Sequence, residues 1–150
     1  MTVVNEADAY TKSAFGTTVS KATGTLASAT SALFNVSGLC LITSIVGKVT
    51  TAITVANSYK LQANPTTGTT SDLVAATDIG TTDTPAGSLL GFTGVKTDSI
   101  TQGPGSVPVI QRPIAVDAGT IEQVSAGTDG AITWILTYVP LESGARITAA

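Results

Sequence analysis

Along this chain, apolar positions alternate with small polar ones far more often than they recur at helical spacing. The clearest case is "AITWILTYVPL" (131–141). Ile132, Trp134, Leu136 and Tyr138 share one side of an extended segment, with Thr133 and Thr137 on the other, which is the period of a half-buried strand. In "VTTAITVAN" (49–57), Val49, Thr51, Ile53 and Val55 fall on one side and Thr50, Ala52, Thr54 and Ala56 on the other. Shorter candidate strands are "SYKLQAN", "SDLVAAT", "SLLGFTG", "RPIAVDAG" and "TIEQVSA". Turn or loop signals separate them: "NPTTG" at 64–68, "DIGTTDTPAG", "TQGPGSVPV", "DAG", and "GTDG" at 127–130, which reads as a hairpin turn. No segment keeps a helical period over ten residues. The pattern predicts an all-β fold, an antiparallel β-sandwich or a jelly-roll-like barrel. It occupies residues 25–150 as one domain, and residues 1–24, which lack clear periodicity, form an extended N-terminal arm.

The stretch "GLCLITSIVGKVTTAITV" (38–55) is the most apolar in the chain and approaches the length of a membrane span. Lys48 near its middle argues against a span, and so does its richness in Ile, Val and Thr, which suit strands. Gly47 and Lys48 fit a two-residue type II′ turn. The predicted hairpin then pairs Val46 with Val49, Ser44 with Thr51, Ile42 with Ile53 and Cys40 with Val55 on a core face. The alternative is a bulge at Gly47 within one long bent strand. In the hairpin, the reverse face holds Leu39, Leu41, Thr43 and Ile45 opposite Ala56, Thr54, Ala52 and Thr50. That face is more apolar than a water-facing surface needs, and it implies a second layer or another subunit.

Composition sharpens this expectation. Charged residues make up 11% of the chain, against about 25% in an ordinary soluble domain. Thr fills roughly one position in six. Little charge means little repulsion between copies. The net charge of −3 provides no basic footprint for nucleic acid. The polar N-terminus lacks the apolar core of a secretory signal. Without one, the "NVS" acceptor pattern at 35–37 reads as chance.

Candidate chemistry is sparse. There is no His, which removes the commonest general base and metal ligand. The single cysteine, Cys40, lies in an apolar strand and reads as a buried structural thiol. Asp72, Asp78, Asp83, Asp98, Asp117 and Asp129 are scattered over turns, where Asp is an ordinary turn residue. Asp129 has calcium ligation as its alternative role. Trp134, Tyr138, Tyr59 and Phe92 are either core residues or a sugar-binding platform, and the alternation around Trp134 and Tyr138 favours core. The expectation is no catalytic, cofactor-binding or metal-binding residues, no cofactor, and no enzyme.

The segments "LFNVSGLCLITSIVGKVTTAI", "NPTTGTTSDLVAATDI" and "AGTIEQVSAGTDGAITWILTYVPLESGARITAA" resemble a family of small virion structural proteins of tailed bacteriophages. The likeness spans about residues 24–150, and its motifs are structural. It implies a virion component, and among such components a head decoration (cement) protein fits best. That protein would bind the outer capsid surface as a homotrimer after assembly in the host cytoplasm, and would clamp neighbouring major capsid protein subunits, without nucleic acid or membrane partners. A tail, baseplate or fibre component that contacts the host is the alternative. A carbohydrate-binding module and an enzyme follow in that order. The expected oligomer or capsid interface comprises Leu39, Leu41, Thr43 and Ile45, the arm aromatics Tyr10 and Phe15, and Arg146 in "GARITAA".

Overall fold

The computed structural model describes residues 16–109 and 112–150. Its regular elements are twelve strands: β1 Thr17–Ala22, β2 Ala29–Ser37, β3 Cys40–Thr51, β4 Ser58–Pro65, β5 Ser71–Asp72, β6 Thr77–Asp78, β7 Ser88–Gly91, β8 Thr101–Pro104, β9 Ile114–Val116, β10 Gly119–Ser125, β11 Ala131–Pro140 and β12 Arg146–Ala149. They form two antiparallel sheets packed as a β-sandwich. The first runs β1-β11-β3-β7-β8, with β9 also paired to β3; the second runs β12-β2-β10-β4-β5, with β6 also paired to β4. Among the described residues, no helix is long and apolar enough to cross a membrane.

The core lies between the inner faces. Ile132, Trp134, Leu136 and Tyr138 of β11 all point into it, as their alternation predicts. Tyr59, Leu61, Phe34 and Ile121 meet them from the second sheet. Trp134 stacks on Tyr59 with centroids 6.1 Å apart and meets Phe92 edge-on at 5.6 Å. The indole Nε1 donates to the Tyr59 hydroxyl (2.8 Å), which donates to Gln123 Oε1 (2.7 Å); Gln123 Nε2 in turn donates to Ser31 (2.9 Å). A polar chain thus ties the two sheets together through the core, and no buried side-chain polar atom among the described residues lacks a partner, as a buried network requires.

Gly47 and Lys48 do not form a turn. They lie inside β3, paired with Trp134 and Thr133 of β11 and with Leu90 and Leu89 of β7. A type II′ turn requires positive φ at its first central residue, and Gly47 is not among the glycines with positive φ. Its lack of a side chain serves packing instead: a Cβ there would sit 2.9–3.1 Å from the Trp134 ring. The bulges lie elsewhere. The β3–β11 register shifts opposite Thr137–Tyr138 and opposite Ala131–Ile132, leaving Thr43 and Thr50 as the extra residues. Each hydroxyl donates across the strand pair, Thr43 to the Thr137 carbonyl and Thr50 to the Ala131 carbonyl, both at 3.2 Å. The first bulge moves the buried positions from Cys40 and Ile42 to Ile45, Gly47 and Val49, because one extra residue inverts a period of two.

Two further expectations need correction. "GTDG" links β10 of the second sheet to β11 of the first, so it is a corner between sheets and not a hairpin. Gly130 at its end has φ +79° and is pressed against Ile53, which would meet a Cβ at 2.4 Å. "DAG" likewise joins β9 and β10 across sheets. The arm boundary also shifts, because residues 17–22 form edge strand β1, in register with β11 from Thr17–Tyr138 to Ala22–Thr133. β1 is short and mostly polar, so its order comes from pairing with β11 and not from local propensity.

Candidate functional site

The aromatics, Cys40, Asp78 and Asp129 are used by the fold. Trp134, Tyr59, Phe92 and Tyr138 are at most 5% exposed, so they fill the core and form no sugar platform. Cys40 is fully buried, and burial, aided by Glu142, pushes its thiol pKa up and keeps it protonated. Asp129 accepts from the Thr54 hydroxyl (2.6 Å) and amide (2.9 Å) and from the Val55 amide (3.2 Å), and these bonds hold its carboxyl below the usual range. Its oxygens clamp the segment after β3 to the β10–β11 corner. Asp78 plays the same part in its own loop. The Thr81 hydroxyl and the Gly80, Thr81 and Asn57 amides bind it and hold its carboxyl far below the usual range. No group of three His, Cys, Asp or Glu side chains among the described residues is placed to hold a metal ion.

What remains is surface, and the two outer faces differ. The strands of the second sheet carry Lys60, Asp72, Asp78, Glu122 and Arg146. On its outer face Lys60 pairs with Asp72 at 2.7 Å. Glu122 accepts from Gln62 (2.9 Å), Asn64 (3.0 Å) and Thr120 (3.0 Å). Burial raises the Glu122 pKa, but these three donors outweigh it and leave the carboxyl below the usual range.

The first sheet's strands carry only Lys21 and Lys48, with no carboxylate. Its outer face is a cross-strand mosaic of aliphatic and hydroxyl side chains. Ile135 lies between Ser20 and Val46, Val139 beside Leu41, Thr137 between Thr18 and Ser44, and Thr133 between Ala22 and Lys48. Ala115 of β9 extends the row beyond Leu41 and Leu89 of β7 beyond Lys48. Leu41, Val46, Leu89, Ile135 and Val139 are each half-buried. At the β7–β8 side the segment 106–108 lies against the sheet, so closely that a Cβ at Gly91 would meet the Pro108 carbonyl oxygen at 2.2 Å.

The expected interface residues are only partly united. Leu41 and Thr43 lie on this outer face. Ile45 does not: the bulge at Thr43 turns it inward, where it is 1% exposed. Leu39 is half-buried at the β2–β3 corner, its amide donating to Glu142 Oε2 (3.0 Å) and its carbonyl accepting from Leu141 (2.9 Å). Arg146 starts β12 and so belongs to the other sheet. Tyr10 and Phe15 lie outside the described residues. Val46, Ile135 and Val139 are the members that sequence reasoning missed. The signal for Ile135 and Val139 was present, since they share a parity with Thr133 and Thr137; Val46 was assigned inward by the hairpin register.

Comparison with known proteins gives no match: no family model, curated protein or solved structure aligns with the chain.

Proposed function

We propose that this chain is a head decoration protein of a tailed-bacteriophage virion. It binds the outer surface of the capsid as a homotrimer and stabilises the shell by clamping neighbouring major capsid protein subunits. The observation that carries this reading is the outer face of β1, β11 and β3, which is aliphatic and hydroxyl-rich and has Lys48 as its one charge. A face of this composition gains from being covered: apolar area removed from water stabilises by about 25 cal/mol per Å², and a shell repeats each contact at every symmetry-related position. The motif likeness to small virion proteins points the same way. The remainder of the described structure provides a braced scaffold in which Asp78, Glu122 and Asp129 and the aromatics Tyr59, Phe92 and Trp134 are occupied internally.

The test is stoichiometry and binding. On a gel of purified virions the protein is expected at a copy number comparable to that of the major capsid protein, and the purified protein is expected to bind emptied heads that lack it. A copy number of a few to dozens per particle would reject decoration and assign the chain to the tail.

A further inference from the structure

Beside the sandwich core, an open cleft of about 550 Å³ lies between the loop after β6 and the β7–β8 ribbon. Its lining includes Thr82, Asp83, Pro85, Ser88, Gln102 and Pro104. That volume is within the usual range for small-molecule sites, roughly 300–1,000 Å³.

The cleft is held in shape before any ligand arrives. Asp78 gathers the three amides and the hydroxyl described above at one end. Thr84, 3% exposed, exchanges both backbone hydrogen bonds with Ile53 (3.0 and 2.9 Å). Its hydroxyl lies 2.7 Å from the Ile79 carbonyl and 3.1 Å from Gln102 Oε1. Gly87 donates to the Val49 carbonyl at 2.7 Å. A loop fixed at so many points loses little entropy when it binds.

Within this frame, the side chains of Thr82, Asp83 and Ser88 make no hydrogen bond to the described residues, although the loop's other polar side chains do. A carboxylate and two hydroxyls without partners among the described residues therefore line the cleft beside two proline rings. The lining holds two carboxylates, Asp78 and Asp83, and no cation. This combination offers hydrogen bonds to vicinal hydroxyls and an apolar wall to ring C–H groups. Its field opposes anionic ligands. Asp78 already accepts four hydrogen bonds from its own loop and Asn57, which leaves Asp83 as the lining carboxylate with none from the described residues. We propose that this cleft binds a neutral pyranose unit, with Asp83 accepting from two adjacent sugar hydroxyls. This inference does not depend on the decoration reading.

The experiment is a titration of the isotope-labelled full chain with glucose, galactose, mannose, N-acetylglucosamine, glucuronate and glucosamine, followed by amide chemical shifts. At least one neutral sugar is expected to bind in the millimolar range and to shift amides of 81–84, 86–88 and 102–103. Glucuronate is expected to bind at least about tenfold more weakly than that sugar. Asp83→Asn, at an exposed side chain without internal bonds, is expected to fold as the parent does and to lose at least about tenfold in affinity; Thr66→Ala, in a separate exposed turn, is expected to change nothing. The proposal is overturned if no neutral sugar shifts these amides, if glucuronate binds equally well, if glucosamine binds best and its binding fades with salt, or if Asp83→Asn leaves affinity unchanged.

Discussion

On the outer side of β10, Glu122 collects donors from three neighbouring side chains, and beside it Lys60 of β4 closes on Asp72 of β5. On the outer side of β11, an interior strand of the other sheet, Ile135 faces Val46 and Val139 faces Leu41, and the strands of that sheet carry no carboxylate. The inner sides of both strands are buried, β11 through Ile132, Trp134, Leu136 and Tyr138 and β10 through Ile121, Gln123 and Ser125, and the outer sides diverge further. A sheet needs one apolar face to fold. The second sheet stops there and satisfies its other face with side-chain hydrogen bonds to its own neighbours. The first keeps a mosaic that water solvates poorly and that another protein surface would solvate better. Either finish suits a folded monomer, so the difference does not follow from stability alone.

The strongest way to break this comparison is to charge each face in turn. Leu41→Lys combined with Ile135→Lys is expected to weaken self-association or head binding by about two orders of magnitude, about 3 kcal/mol, while the protein stays folded. Val124→Lys, at a half-buried outward position of β10, is expected to leave assembly within about twofold. Sedimentation and head-binding assays on the two proteins check this, and equal loss from both would show that the faces are equivalent.

A second test compares the two sides of one strand. Gly47→Ala drives a methyl group into the Trp134 ring, which Tyr59 and Phe92 hold in place, and is expected to cost about 1–3 kcal/mol in chemical denaturation. Its neighbour Val46 points outward, and Val46→Thr is expected to cost under about 1 kcal/mol. A reversed order would place the core on the wrong side of β3.

The smallest effect concerns acid. The folded-state pKa of Glu122 is depressed, so its contribution is present above the unfolded value, about 4.3, and is lost as pH falls through the folded one. The stability difference between the parent and Glu122→Gln is therefore expected to shrink from pH 5 towards pH 3. The change is small, because the group is largely solvated. Asp78 and Asp129, also depressed, are lost equally from both proteins and cancel in the difference. Paired thermal melts across that window measure it, and a difference independent of pH would mean that Glu122 is not held as described.

Much of the sandwich was legible residue by residue, and much of its connectivity was not. The alternation from Ile132 to Tyr138 assigned both sides of β11, because a strand with one face in the core writes its period directly into the chain. The same reasoning failed at Gly47, where a turn-like dipeptide answers to the bulk of a tryptophan 87 positions later. It failed again at Thr43, whose bulge reverses the parity of the strand as far as the second bulge at Thr50. "GTDG" was correctly read as a change of direction, but turn chemistry does not say whether the next strand joins the same sheet or the opposite one. The candidate face was half legible for this reason: Leu41 and Thr43 precede or form the bulge, and Ile45 follows it.

The order of strands has a further consequence, for the time course of synthesis. The strands that bridge β1 to β3 and β2 to β4 are β11 and β10, and both lie within residues 119–140. Until they leave the ribosome, four earlier strands present open edges with no native partner beside them. Such edges are templates for wrong pairing between nascent chains. Closure then depends on contacts distant in sequence, the topology that folds in about milliseconds to seconds and not microseconds. A complete outer face of β1, β11 and β3 therefore forms only after residues 131–140 have been made.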